Sequence, residues 1–411
     1  MKNAVWSVVA VLLLCACHSH SNRQQTADET EADSAVAVQV KYATGFSVRD
    51  SADVRLVTIG MKMRHGQKGM SAKKGTESKK GTDGKKSMSA KTDRFALVKS
   101  AETQVPAGYV KVVVPIKSTI CMTSLQLSNF TVLDAHDVVK GITGTKNLFN
   151  KDIKARVKDG RIVKIGTEGE FDTELILAAN PDVIFISPFK RGGYDAIKET
   201  GITLVPHLGY KELNPLGQAE WIKLVGMFNG KEREANELFA GIEQRYNDLK
   251  EKVAGLQSAS SDGEASKKQH IPTVTSGEMH YGTWRAVGGK NYLAQIFRDA
   301  GADYVVKDDE EAGENMEFEK MYALSANADY WRILNSYPGE FSYEALKASE
   351  PRNELFKAFK EKQVIYCNMK QTPYYEISPV EPDVLLKDFV AIFHPEAVEK
   401  DYQPKYYHLL K

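Results

Sequence analysis

Two groups of residues, separated along this 411-residue chain, have side chains suited to chemistry. The first group is Met122 and Thr123, Lys190 and Arg191, and His207 with Tyr210. The second group is His280, Tyr281, Trp284 and Arg285, then Trp331 and Arg332, then Asn368 and Lys370. Each group sits at or just beyond a short apolar run, where a strand would hand over to a loop. The combined set is aromatic and cationic. Rings stack on a large flat ligand, and guanidinium and ammonium groups make charge-assisted hydrogen bonds to its anionic oxygens. His207 and His280 come from different groups and could reach one metal ion; the plainer reading is loop histidines, solvated or hydrogen-bonded. Polar and glycine neighbours place Trp284 in a binding cleft, whereas Trp221 lies in an amphipathic stretch and reads as core. The acid-rich "KDDEEAGEN" reads as a solvated loop rather than a calcium site. There is no nucleophile elbow, P-loop, zinc-type Cys/His spacing or GxGxxG after a strand. No catalytic residue, resident metal or cofactor is expected.

The elements that position these residues alternate. From Ile116 onward, runs such as "VIFIS" and "ITLVP" are continuously apolar, as strands buried on both faces of a parallel sheet are. Helical stretches separate them, which implies an α/β fold. The stretch "KEREANELFAGIEQRYNDLKEKVAGL" places Ala235, Leu238, Phe239, Ile242, Tyr246, Leu249 and Val253 at steps of 3, 1, 3, 4, 3 and 4, a single-stripe helix. It is long enough to run along two lobes. After the polar loop "SASSDGEASKKQ" the same strand–helix grammar returns, and "SANADYW" echoes "AANPDVIF". Two Rossmann-like lobes bridged by one helix follow: residues 116–228, a connecting helix over 229–257, and residues 271–411.

The beginning of the chain reads differently. "MKNAVWSVVAVLLLCACHSH" has one Lys before an apolar stretch too short to span a membrane. It ends in Leu14-Cys15-Ala16-Cys17, which resembles a bacterial lipobox, with residues 1–17 as signal and Cys17 as the lipidated residue. Residues 18–40 read as a flexible tether, polar and acidic at first. Residues 41–115 read as a β-hairpin region interrupted by a Lys/Gly/Ser-rich insertion at 62–91, expected to be disordered. The formal net charge is only +1, yet residues 62–94 hold eleven Lys/Arg against three Asp/Glu. The overall balance argues against a nucleic-acid partner. With signal and anchor set aside, Cys121 and Cys367 remain, read as small buried hydrophobes.

Two α/β lobes joined by one long helix, on a secreted lipoprotein, resemble the substrate-binding proteins of ABC importers for ferric siderophores, haem and cobalamin. The resemblance covers residues 95–411 and rests on the order of "ELILAANPDVIFIS", "AEWIKLVGMFNGKEREANELF", "AVGGKNYLAQIFRDAGADY" and "VEPDVLLKDFVAIFHPE". The amino-terminal region with "YATGFSV" looks most like versions from Bacteroidetes-type bacteria. The insertion at 62–91 departs from the family pattern. The resemblance implies a small metal-chelate ligand in an inter-lobe cleft, a permease partner, and a position outside the cytoplasm on a membrane through the lipid anchor. It also implies that one exposed Glu on each lobe docks onto permease arginines. Glu174, ahead of Asn180-Pro181-Asp182, matches the first, and Glu319 the second, with Glu317 as a competitor. Without a family, both read as acids favoured at helix starts. A scavenging surface lipoprotein without a permease and a chelatase-like enzyme are the alternatives.

Overall fold

The computed structural model describes residues 36–61, 92–144, 148–167, 169–188, 194–259, 270–309, 313 and 315–411. Residues 37–411 pack as one unit. The signal, Cys17, most of the tether, the insertion at 62–91 and the Lys190-Arg191 pair lie outside the described residues.

Four strands form the first sheet: β1 (Phe46–Ser51), β2 (Val54–Ile59), β3 (Asp93–Val98) and β4 (Val110–Val113), in that order. β2 and β3 are antiparallel, with Ile59 opposite Asp93. The insertion therefore interrupts a hairpin, and the ladder closes across it. The chain leading into β1 is fixed earlier than a tether over 18–40 would require. Val38 is buried, Asn236 donates to the Ala37 carbonyl, and the Lys223 ammonium donates to that of Gln39.

The first lobe contains, in chain order, β5 (Thr119–Cys121), α1 (Ser124–Val132), β6 (Val139–Ile142), α2 (Lys151–Lys158), β7 (Val163–Lys164), a ribbon of β8 (Gly166–Thr167) and β9 (Glu170–Phe171), α3 (Thr173–Ala179), β10 (Val183–Ile186), α4 (Tyr194–Lys198), β11 (Thr203–Pro206), α5 (Pro215–Ala219) and α6 (Trp221–Asn229). Its sheet order is β11-β10-β5-β6-β7, all parallel. β10 is buried at every position, as its unbroken apolar run requires.

α7 (Glu232–Ala259) follows. Ala235, Phe239, Ile242, Tyr246 and Val253 are buried along one stripe. α6 packs on its first half. Its second half reaches the other lobe: Arg245 Nε donates to Asp383 (2.6 Å), and the Tyr246 hydroxyl to Asp299 (2.7 Å).

The second lobe contains β12 (Thr273–Ser276), β13 (Glu278–His280), β14 (Thr283–Arg285), α8 (Tyr292–Asp299), β15 (Asp303–Tyr304), β16 (Asn315–Met316), α9 (Phe318–Ser325), β17 (Tyr330–Asn335), α10 (Tyr343–Ser349), α11 (Lys357–Lys360), β18 (Val364–Asn368), α12 (Tyr374–Ile377), α13 (Pro382–Phe393) and β19 (His408–Leu409). Its main sheet runs β15-β12-β17-β18-β19, parallel except for β19. β13, β14 and β16 form a separate small antiparallel sheet. The fold is α/β with two parallel-sheet lobes and one long helix. No helix among the described residues is long and apolar enough to cross a membrane.

Candidate functional site at the strand ends

In parallel sheets the polar loops lie beyond the carboxyl ends of the strands, and ligands bind there. The lobes meet on that side: α1, which leaves the end of β5, packs against α12, which follows β18.

In the first lobe the strand ends are tied together. Thr123 is the N-cap of α1, its hydroxyl accepting from Gln126 N (3.3 Å). The buried Gln126 accepts in turn from Met122 N (2.6 Å) and Thr123 N (3.1 Å), and its amide donates to Ser187 Oγ (3.1 Å) at the end of β10. Tyr210 is half-buried in the turn Gly209–Lys211. His207 does not fit the sequence expectation. It is 0% exposed, in ring contact with Trp221 at 4.6 Å, and neither ring nitrogen has a hydrogen-bond partner. Burial holds its pKa down at about 3. A neutral, enclosed imidazole is part of the core, and it cannot share an open metal site with the exposed His280. Trp221 is core as expected, its indole N–H bonded to Glu212.

In the second lobe β13 and β14 form a hairpin whose tip carries Tyr281, at φ 48° and 92% exposed. The His280 ring lies edge-on to it at 4.4 Å. Arg285 is exposed on the same hairpin, but Trp284 is fully buried. Strand alternation is the reason: one residue apart, Trp284 and Arg285 face opposite sides. The polar neighbours that suggested a cleft position for Trp284 belong to the other face. Its indole stacks on Trp331 (5.4 Å), lies 5.4 Å from Phe356, and donates to the Ser276 carbonyl (3.0 Å). Trp331 is equally buried and donates to the Gly277 carbonyl (2.7 Å). Both tryptophans are core residues, not cleft residues. Asn368 is also buried: its amide donates to the Tyr337 carbonyl, and its oxygen accepts from Lys370 N. It closes a loop whose exposed member is Lys370.

Arg332 stands apart. Its side chain is nearly enclosed, yet Nε (2.8 Å) and Nη2 donate to one phenol, Tyr407. Nη1 makes no hydrogen bond among the described residues. Tyr374 lies 5.8 Å from Tyr407 ring to ring, and its hydroxyl is 3.3 Å from that of Tyr292. Two acids border this neighbourhood: Glu278, which accepts from Asn335 (3.2 Å), and Asp388, which accepts from Tyr407 N (3.0 Å). Burial pushes the Glu278 carboxyl up, against smaller opposing effects of Asn335 and Arg332. A guanidinium stays charged in any protein setting, so this is a buried cation held by neutral phenols. The sequence reading missed Glu278, Tyr292, Tyr374 and Tyr407. The doublets "YYE" and "YYH" were the available signal, although Tyr374 is buried and its neighbour Tyr375 is exposed.

Glu174 is exposed in the first turn of α3, which Asp172 caps through Leu175 N. Glu319 is exposed in the first turn of α9 and pairs with Arg352 (2.9 Å), whose guanidinium lies 4.0 Å over the Phe318 ring. Glu317 is the N-cap residue of α9. Cys121 and Cys367 are free and buried; burial raises both thiols, Cys367 to about 12.

The chain belongs to the periplasmic binding protein family, whose pattern it matches over residues 120–370. It is 29% identical over 300 residues to an uncharacterised lipoprotein of Methanocaldococcus jannaschii, covering 69% of this chain and 66% of that one. A second uncharacterised lipoprotein of that archaeon is 26% identical, covering 63% and 64%. The chain thus spans about two thirds of the length of these relatives. They lend no support to a Bacteroidetes-like origin. Among solved structures, a periplasmic heme binding protein from Pseudomonas aeruginosa superposes with a TM-score of 0.54 at 16% identity, over 72% of this chain and 98% of that one. The TroA-like periplasmic binding protein FepB from Veillonella parvula gives 0.51 at 19%, over 72% and 95%. The family is one of binding proteins, not enzymes.

Proposed function

We propose that this protein is the extracytoplasmic, lipid-anchored substrate-binding protein of an ABC importer. It takes up an iron complex, a ferric siderophore or haem, or else cobalamin, in the cleft between its lobes. The observation that carries the reading is Arg332. An enclosed guanidinium within β17, opposite the last residue of β12 and bonded to phenol rather than carboxylate, offers an unspent charge to an anionic oxygen. The phenols of Tyr292 and Tyr374 beside it add donors and flat apolar surface. Tyr281, His280 and Arg285 on the exposed hairpin supply a second aromatic and cationic face, with Thr123, Tyr210, Lys190, Arg191 and Lys370 as further contacts. Glu174 and Glu319 dock onto the permease, and Cys17 carries the lipid. The lipoprotein relatives and the heme and FepB structures support this reading by likeness.

The test is mass spectrometry of small molecules co-purified from the native host, followed by titration with haemin, ferrioxamine B and cyanocobalamin. Wild-type protein is expected to bind one of them, and Arg332→Met to weaken that binding by about 2 kcal/mol, the scale of a charged hydrogen bond. Replacing a buried charge with an apolar chain of similar volume keeps the fold. Binding of none of the three, with no co-purified chelate, overturns the reading.

A further inference from the structure

We infer that Glu376 is the positioning residue that sets the separation of the two lobes, acting as a latch between α12 and the start of α2. Glu376 belongs to the second lobe and is 4% exposed. Its carboxylate crosses to the first lobe, where Oε2 accepts from Phe149 N (2.6 Å) and Oε1 from Asn150 N (2.8 Å). Those residues are 227 and 226 positions away in sequence. Asn150 is the N-cap of α2, its own side chain accepting from Asp152 N and Ile153 N. The donors met by Glu376 are therefore the backbone amides of the cap residue itself and of the residue just before it. Both bonds are short, charge-assisted and largely shielded from water.

Two physical features make this a latch rather than one contact among many. A carboxylate at this burial is costly without partners, and here its hydrogen bonds come from the opposite lobe. A small separation of the lobes breaks both at once, and the carboxylate must then be hydrated. Intermediate spacings, with the bonds lost but water still excluded, are the unfavourable ones, so closed and open become two distinct arrangements. The second feature is the position of α12. This single turn carries Glu376 on the first lobe's backbone and, two residues earlier, Tyr374 against Tyr407 and Tyr292 beside Arg332. A displacement of Tyr374 by anything bound at Arg332 is transmitted through one helical turn to the latch. This last link rests on the ligand site proposed above; the latch itself does not.

The experiment separates the two. Spin labels at Glu199→Cys in the first lobe and Glu340→Cys in the second, both exposed, report lobe spacing by pulsed electron resonance in ligand-free, full-length protein. The native thiols at Cys121 and Cys367 are buried and stay unlabelled, and Cys15 and Cys17 are replaced by Ser so that neither takes a label. Glu376→Gln retains one good acceptor and loses the charge. It is expected to add a longer-distance population and to speed amide exchange in the peptide containing Phe149 and Asn150 at least tenfold. Asn150→Pro removes one of the two donors and is compatible with the φ of −58° at that position. It is expected to act like Glu376→Gln, whereas Asn150→Ala, which loses the cap but keeps the N–H, is expected to leave the spacing unchanged. With haemin as probe, Glu376→Gln is expected to raise the dissociation rate several-fold with little change in association rate. Unchanged distances and exchange in both Glu376→Gln and Asn150→Pro overturn the latch. Global unfolding of Glu376→Gln with normal spacing in Asn150→Pro overturns it too, as a purely structural role. Altered spacing without haemin binding leaves the latch standing and counts against haem as the cargo.

Discussion

His207 and Trp284 show how far a single side chain's role depends on the face it occupies. His207 is enclosed with both nitrogens unpaired, so its polarity gives nothing to the fold. In the unfolded chain the imidazole takes up a proton near its ordinary 6.5, whereas burial delays this to about 3 in the folded protein. The unfolded state therefore binds more protons throughout that window. Stability is fully present above 6.5 and is lost as the pH falls toward 3, by on the order of 1.4 kcal/mol per pH unit. His207→Met removes that slope. In urea titrations it is expected to match wild type within about 1 kcal/mol at pH 7 and to be the more stable by on the order of 3 kcal/mol at pH 4. An equal gap at both pH values would mean that the imidazole is hydrated. Trp284→Ala opens a cavity beside Trp331 and Phe356 and is expected to cost about 3–5 kcal/mol in unfolding. Haemin affinity measured on the folded fraction should be unchanged, because the indole touches core rather than cleft.

At the scale of elements, two buried carboxylates fix the strap that leads into β1. Glu220 accepts from the backbone N–H of Lys41, Tyr42 and Ala43 and pairs with the buried Lys223; Glu212 accepts from those of Thr44 and Gly45. Glu220→Ala orphans three amides and strands a buried ammonium. It is expected to lower stability by about 3–5 kcal/mol and to raise amide exchange selectively over residues 41–43. Loss of stability without that local exchange would place the effect in α6 instead. None of these ties was legible in the sequence. Lys41 and Glu220 are 179 residues apart, and no local pattern signals a carboxylate whose partners are distant backbone amides. What was legible was periodic or punctuated. The stripe from Ala235 to Val253 gave α7 within three residues at its start, because the spacing of apolar side chains is set by the helix itself. The Pro-Asp turn and the run Val183–Ile186 gave α3 and β10 for the same reason. Trp284 was misplaced because neighbours in sequence were treated as neighbours in space, which strand alternation forbids. The Arg332–tyrosine cluster was half seen: Arg332 itself lies within the strand run of β17, but its phenols come from α8, α12 and the segment just before β19 and meet only in the fold.

At the scale of the whole molecule, the question is what the two lobes present to a partner. α3 precedes β10 and α9 precedes β17, so each helix starts at the carboxyl edge of its lobe's sheet, the edge that borders the cleft. Glu174 and Glu319 stand in those first turns. The two sites are not equivalent. Glu319 is held by Arg352, while Leu175 and Leu177 of α3 are exposed near Glu174. The Glu319–Arg352 pair is itself exposed, so giving it up costs only about 0–1 kcal/mol, less than a water-excluded interfacial pair can return. On the proposed docking, Glu174→Lys with Glu319→Lys should abolish uptake in cells or proteoliposomes. Soluble affinity should stay at the wild-type value for whichever of haemin, ferrioxamine B or cyanocobalamin the protein binds. Each single reversal should give a partial defect. Arg352→Ala sharpens the test because it frees Glu319 without altering either acid. Uptake at or above the wild-type rate in Arg352→Ala, with loss in the double reversal, fits two acids meeting permease arginines. Normal uptake in the double reversal would remove both acids from the interface. A loss of soluble affinity in parallel with uptake would instead trace their effect to the cleft, through the strands that these helices precede.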